Sequence, residues 1–129
     1  MINANGLRIG NLVTEQYQYF QQSEQERIIT VESIIEKGIN VDLHGESEYI
    51  GFDKLKPILL TEDWLARLRF VEEKRGCFTL GPISIVINEK TNSSWIYSQY
   101  TPTIPIQYVH QLQNLYFALT GKELKAPHH

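Results

Sequence analysis

From Ile39 to Leu43 apolar and polar residues alternate without a fault: Ile39, Val41 and Leu43 on one side, Asn40 and Asp42 on the other. A period of two marks a strand buried on one face, because successive side chains point to opposite sides of a sheet. Arg27 to Ile35, just before it, is β-branched and apolar, with Ile29, Val31 and Ile35 aligned, and reads as a strand. Glu36-Lys-Gly38 fits the hairpin loop between the two, with Gly38 at the position that needs positive φ. His44 to Ser47 turns the chain again and Glu48 to Phe52 returns as a strand. Further upstream, Leu7-Arg-Ile-Gly-Asn-Leu-Val13 reads as a strand with a bulge or tight bend at Gly10. Thr14 to Glu26 is irregular, and its centre, Gln21 to Glu26, reads as an exposed loop. Short strands separated by tight turns predict a small curled antiparallel unit, SH3-like, over residues 1–57.

The period changes after Pro57. In Leu60-Thr-Glu-Asp-Trp-Leu65, Thr61 is a good N-cap, Glu62 and Asp63 suit the positive end of a helix, and Leu60 and Leu65 stand where a hydrophobic staple forms. This predicts a short helix over 62–70, with Trp64, Leu65 and Leu68 buried. Residues 76–81, 83–87 and 95–100 then read as three antiparallel strands. Tyr108 to Gly121 is the longest amphipathic stretch. Val109, Leu112, Leu115, Tyr116 and Leu119 share one helical face, Gln111, Gln113 and Asn114 lie off it, and Gly121 can end the helix in the left-handed conformation. The expected fold is α+β. A β unit at 1–57 is followed by an α-β-β-β-α unit at 58–124, with the final helix as the piece the sheets pack against. A disordered tail is expected at 125–129.

Composition narrows the function classes. Hydrophobic residues make up 42% of the 129, enough for a packed core. The net charge of −3 and a pI near 5.8 disfavour a protein that coats nucleic acid by bulk charge. Cys77 is the only cysteine, which suits a reducing compartment. The first residues lack the pattern of a secretory signal, and no apolar run approaches the ~20 residues of a membrane helix. A soluble, cytoplasmic protein is expected.

Three blocks carry a resemblance: Leu7-Arg-Ile-Gly-Asn-Leu-Val13, Lys56-Pro-Ile-Leu-Leu-Thr-Glu-Asp-Trp-Leu65 and Tyr108 to Leu124. Together the chain resembles a family of short uncharacterised proteins from phages and prophages of Bacteroides-type bacteria. Where that family shows Gly-Phe after the Trp helix, this chain has Arg69-Phe70. The resemblance implies a mobile-element protein working inside a host cell, a setting in which counter-defence is one role. It implies no activity and no catalytic residues.

The usual catalytic arrangements are missing from the sequence. The glycines are isolated rather than grouped into a phosphate loop, and no metal-ligand spacing or cofactor motif occurs. His128-His129 reads as tail. A Cys–His nucleophilic pair would need Cys77 beside His44 or His110, but Cys77 reads as a small buried residue at a strand start and His110 as a packing or surface residue. Glu62 and Asp63 are explained by the helix start. The expectation is therefore not an enzyme, with an uncharacterised hydrolase as one alternative.

Two features suit binding. Tyr17, Tyr19 and Phe20 sit in a polar stretch, while Trp95, Tyr97 and Tyr100 sit on one strand, Trp95 and Tyr97 on the same side of it. Arg67, Arg69, Lys74 and Arg75 form a local basic cluster. Aromatic faces stack on bases and arginine forks to phosphate, so the two sets together would suit a nucleotide-like ligand. The expected function is a non-catalytic protein that binds or sequesters a host protein or a small nucleotide-like ligand. A nucleic-acid-associated small barrel is the other alternative. Tyr108, Phe117 and Leu124, off the main helical face, further suggest a homodimer.

Overall fold

A computed structural model describes residues 6–18, 24–35, 37–43, 46–88, 90–91, 93–98 and 101–125. The fold is α+β, and the chain divides into two compact units after residue 58.

The first unit contains β1 (Leu12–Gln18), β2 (Glu24–Thr30), β3 (Ser33–Ile35), β4 (Gly38–Leu43), β5 (Glu46–Gly51), a 3-10 turn at Phe52–Lys54 and β6 (Leu55–Lys56). They form two antiparallel three-stranded sheets, in the orders β2-β1-β6 and β3-β4-β5, and no ladder among the described residues closes them into a barrel. Both sheets feed one core. Val13, Ile29 and Leu55 come from the first, Ile39, Val41 and Ile50 from the second, with Leu7 and Val31 beside them. Glu15, buried at 5% exposure, keeps its charge company across the β1–β2 ladder, where Arg27 Nε donates to its Oε1 at 2.6 Å. A second Arg27 nitrogen reaches Glu48 at 3.0 Å, and the Glu15 hydrogen bond leads the causes that raise the arginine's pKa further.

Three local expectations are corrected here. The strand expected from Leu7 begins only at Leu12, because Gly10 holds φ +96° and residues 8–11 form a turn. In that turn the Asn11 side-chain oxygen accepts from the Arg8 amide at 2.6 Å. The loop expected over 21–26 is strand from Glu24 onward, while residues 19–23, with Tyr19 and Phe20, lie outside the described residues. Gly38 does not have positive φ. It is the first residue of β4, and a Cβ there would run into the Ile50 carbonyl oxygen and the Gly51 Cα, so glycine is needed for close backbone approach instead.

The second unit contains α1 (Glu62–Arg67), β7 (Val71–Lys74), β8 (Cys77–Leu80), β9 (Ile83–Asn88), β10 (Ser93–Ser98), β11 (Thr101–Pro105) and α2 (Val109–Thr120). The three expected strands are the centre of a five-stranded antiparallel sheet ordered β11-β10-β9-β8-β7. Its added edges carry weak strand signals. β7 is Val-Glu-Glu-Lys, exposed throughout, and β11 contains two prolines, which a sheet tolerates only at an edge.

Thr61 caps α1 by accepting from the Trp64 amide at 3.2 Å, and Trp64, Leu65 and Leu68 are buried. The helix is shorter than expected. It stops at Arg67, and Arg69 adopts φ +72°. The amide of Arg69 donates to Ala66 and that of Phe70 to Leu65, the two bonds of a Schellman ending. Arg69 therefore holds the left-handed position that glycine usually occupies at a helix end.

The start of α2 is tied in by a bridge between Leu59 and Tyr108, by the Leu60 amide donating to Gln107 at 2.9 Å and by the Ile106 amide donating to Ser94 at 3.0 Å. Gly121 ends the helix at φ +74°. The buried face differs from the apolar stripe. Val109, His110, Leu112 and Gln113 are buried, whereas Leu115, Tyr116 and Leu119 are only partly covered. Gln113, expected off the buried face, has 0% exposure, and its Nε2 donates to the Leu124 carbonyl oxygen at 3.0 Å. Leu124 is itself buried, while Lys122, Glu123 and Lys125 around it are exposed; residues 126–129 lie outside the described residues. No helix among the described residues is long and apolar enough to cross a membrane.

Candidate functional site

The five-stranded sheet has one face filled and one face open. Phe78, Ile83, Ile85, Ile87 and Ile96 are buried on the filled face. The registers set Lys74, Cys77, Val86, Trp95 and Pro105 side by side across all five strands on the other. A second row holds Val71, Thr79, Ser84 and Tyr97. Paired residues in an antiparallel ladder point to the same side, so each row is a line of neighbouring side chains. Val86 is 37% exposed, Trp95 40% and Tyr97 39%. Two aromatic rings and a valine thus stand in solvent on a surface that ordinary alternation would make polar.

The neighbours of these rings are weakly polar. Cys77 Sγ lies 3.5 Å from the Tyr97 hydroxyl, and the Thr79 and Ser84 hydroxyls are 3.2 Å apart. The contact with Cys77, then burial, then the charges of Cys77 and Glu73 push the Tyr97 phenol above its ordinary value of 10.0. Both sheet edges are blunted. β11 lacks two N–H groups at its prolines, and β7 carries charged side chains and a bulge between Glu72 and Lys74. The open face, and not the edges, is where this sheet can accept a partner.

At the β10–β11 end of the first row, a groove of about 340 Å³ opens between Ser93, Trp95, Pro105, Ile106, Gln107 and Gln111. Trp95, Pro105 and Ile106 give it apolar surface, and its polar groups, buried Ser94 among them, are uncharged. The Gln111 side-chain oxygen accepts from the Gln107 and Tyr108 amides, both at 3.0 Å, satisfying donors left over at the start of α2.

The sequence-predicted residues separate. Trp95 and Tyr97 stand together, Lys74 ends their row, and Arg75 is exposed in the turn that follows. Arg67 is engaged elsewhere, 3.2 Å from Asp63 and 4.9 Å above the Trp64 ring. Arg69 is exposed at the end of α1, separated from Lys74 by the length of β7. The backbone of Tyr17 lies in β1, in the other unit, and its side chain is outside the described atoms; Tyr19 and Tyr100 lie outside the described residues. Sequence reasoning missed Val86, Pro105, Gln107 and Gln111, and treated Cys77 as buried. Alternation along β8, β9 and β10 puts Cys77, Val86 and Trp95 on outward positions, but only the register shows that they are neighbours.

His110 is buried beneath the surface of α2, its ring stacked on Tyr108 with centroids 5.9 Å apart. Its Nδ1 has no hydrogen-bond partner, and burial lowers its pKa. The polar neighbour of Cys77 is Tyr97, not a histidine; His44, like His128 and His129, lies outside the described residues. Among the described residues no three histidine, cysteine or acidic side chains are placed to hold a metal ion. Comparison of the chain with protein-family models, curated proteins and solved structures gives no match.

Proposed function

We propose that this protein acts without catalysis, binding a small nucleotide-like ligand on the open face of its five-stranded sheet. The observation that carries the reading is the row from Lys74 to Trp95. Lys74 is the only charged residue paired into the two outward rows, with Glu73 beside it in the β7 bulge close enough to act on the Tyr97 phenol, and Lys74 stands three strand spacings, about 14 Å, from the indole. A base stacked on Trp95 or Tyr97 can extend a phosphate toward Lys74 and Arg75. The aromatic surface supplies affinity for any planar ring, and the cationic end supplies the preference for a phosphorylated one. The resemblance to phage and prophage proteins suits a stoichiometric binder, which sequesters its ligand in the host cell and acts in counter-defence.

Tryptophan fluorescence and thermal shift against a panel of nucleoside monophosphates test this. Trp64 is buried and Trp95 exposed, so quenching on ligand addition reports Trp95. Saturable quenching and a raised Tm are expected, both lost in Trp95→Ala. No response to any nucleotide, or binding unchanged in Trp95→Ala, rejects the reading. A mixed-sequence oligonucleotide is expected to bind no tighter than the monophosphates. Tighter binding that weakens with salt overturns the free-ligand reading in favour of a single strand.

A further inference from the structure

The groove beside Trp95 differs in chemistry from the rest of the open face. Its lining, Ser93 to Gln111, contains no charged residue, so it suits the uncharged end of a ligand whose anionic end lies toward Lys74. Its polar groups are also unequal. The Gln107 side-chain amide has no partner among the described residues and can turn to present either its oxygen or its nitrogen. Gln111 cannot. Two backbone amides converge on its Oε1, which fixes which end of the amide is oxygen and leaves Nε2 as a donor in one orientation. A donor held in place by the helix start is a preorganised contact, losing little freedom when a ligand arrives.

We infer that this groove reads the base of the bound nucleotide, and that Gln111 selects bases with a keto oxygen at O4 or O6 over bases with an amino group at that position. The inference rests on the nucleotide reading of the open face. The ring lies against Trp95 and Pro105, with its exocyclic edge toward α2. Uracil, thymine and guanine present a carbonyl oxygen, O4 or O6, at the place where cytosine and adenine present an amino group. The fixed Nε2 donor meets an acceptor in the first set and another donor in the second. A donor left facing a donor is the costly case, so discrimination comes more from rejecting amino bases than from attracting keto bases. Gln107, free to turn, adds affinity without choosing.

The test is a comparison of UMP, GMP, CMP and AMP on the full chain, in wild type and in Gln111→Glu. The carboxylate of Gln111→Glu still accepts the Gln107 and Tyr108 amides, and a negative charge is favourable at a helix N-terminus, so Tm is expected to hold or rise. The Nε2 donor is replaced by an acceptor oxygen. Wild type is expected to bind UMP and GMP about tenfold more tightly than CMP and AMP, and Gln111→Glu to invert that order. Equal affinity for all four, or an order unchanged in a folded Gln111→Glu, overturns the inference while leaving nucleotide binding standing. Lys74→Ala separates the two readings further. It is expected to weaken all four monophosphates alike and to leave the corresponding nucleosides unaffected. A Lys74→Ala that alters the base order instead shows that the groove does not read the base.

Discussion

Phe70 donates its backbone amide to the carbonyl oxygen of Leu65 at 2.9 Å, across an arginine held at φ +72°. Phe70 and Leu65 are both buried, so this hydrogen bond and its apolar pair turn the chain from α1 into β7. Arg69 at the crossing carries a Cβ into a region that costs an L-residue roughly 1–2 kcal/mol. Glycine would remove that strain but lose about 0.4–1 kcal/mol through its freer unfolded chain. Arg69→Gly is therefore expected to stabilise the protein by about 0.5–1 kcal/mol, read as a higher urea midpoint at unchanged m-value. Arg69→Val, β-branched at the same φ, is expected to lower the midpoint. A less stable glycine variant would mean that the arginine side chain holds the turn by contacts of its own.

His110 gives a pH dependence with a definite sign. Burial lowers its pKa in the folded protein below the ordinary 6.5. The unfolded chain then takes up a proton at a higher pH than the folded one. Stability is fully present above pH ~6.5 and falls as pH drops from there toward the depressed folded value, at up to about 1.4 kcal/mol per pH unit. His110→Leu removes both the titrating ring and an Nδ1 that has no partner. Its urea midpoint is expected to match or exceed wild type at pH 7.5 and to change less between pH 7.5 and 5.5. An equally steep decline in the variant would assign the acid sensitivity to other groups.

Gly38 shows where the sequence was legible in kind but not in cause. The alternation from Ile39 to Leu43 identifies β4, and the glycine before it marks a special backbone position. Sequence cannot say whether that position is special for its φ or for its neighbours, since both call for the absence of a Cβ. Here the neighbour is β5, whose Gly51 Cα would lie 2.9 Å from an added Cβ. Gly38→Ala is expected to destabilise by about 1–3 kcal/mol, as overpacking against backbone that cannot yield. Gly81→Ala is the contrast. A Cβ there meets nothing within 4 Å, and its left-handed φ of +58° is the only obstacle. A Gly38→Ala variant as stable as wild type would show that β4 and β5 can separate at that point.

The candidate site was legible to the same partial degree. Spacing along β10 put Trp95 and Tyr97 on one side, because a strand fixes that without reference to its neighbours. The basic cluster was a cluster in sequence only. Arg67 is used by Asp63 and Trp64, and a strand separates Arg69 from Lys74. What joins Lys74 to Trp95 is a register through β8 and β9, and register is set by turns and burial over the whole sheet.

The last turn of the chain carries the remaining prediction. A stripe of apolar residues is legible in α2, yet the helix buries Gln113 completely while leaving Leu115 and Leu119 partly open. A glutamine is admitted because Leu124 returns to it, offering a backbone carbonyl to Nε2 and covering it with a side chain only 4% exposed. Nothing in the helical period encodes a contact from eleven residues further along the chain. A chain ending at Gly121 loses the Leu124 side chain, about 1.5–3 kcal/mol of burial, and leaves a buried amide donor without that acceptor, about 1–3 kcal/mol more. Part of this is recovered as water reaches the amide, so a net loss of roughly 2–4 kcal/mol is expected in urea unfolding. Gln113→Leu in the full chain separates the terms. It keeps Leu124 but removes the donor, and is expected to cost less than the truncation. A truncated protein with wild-type stability would mean that residues 122–125 only rest on the surface of α2 and do not complete its core.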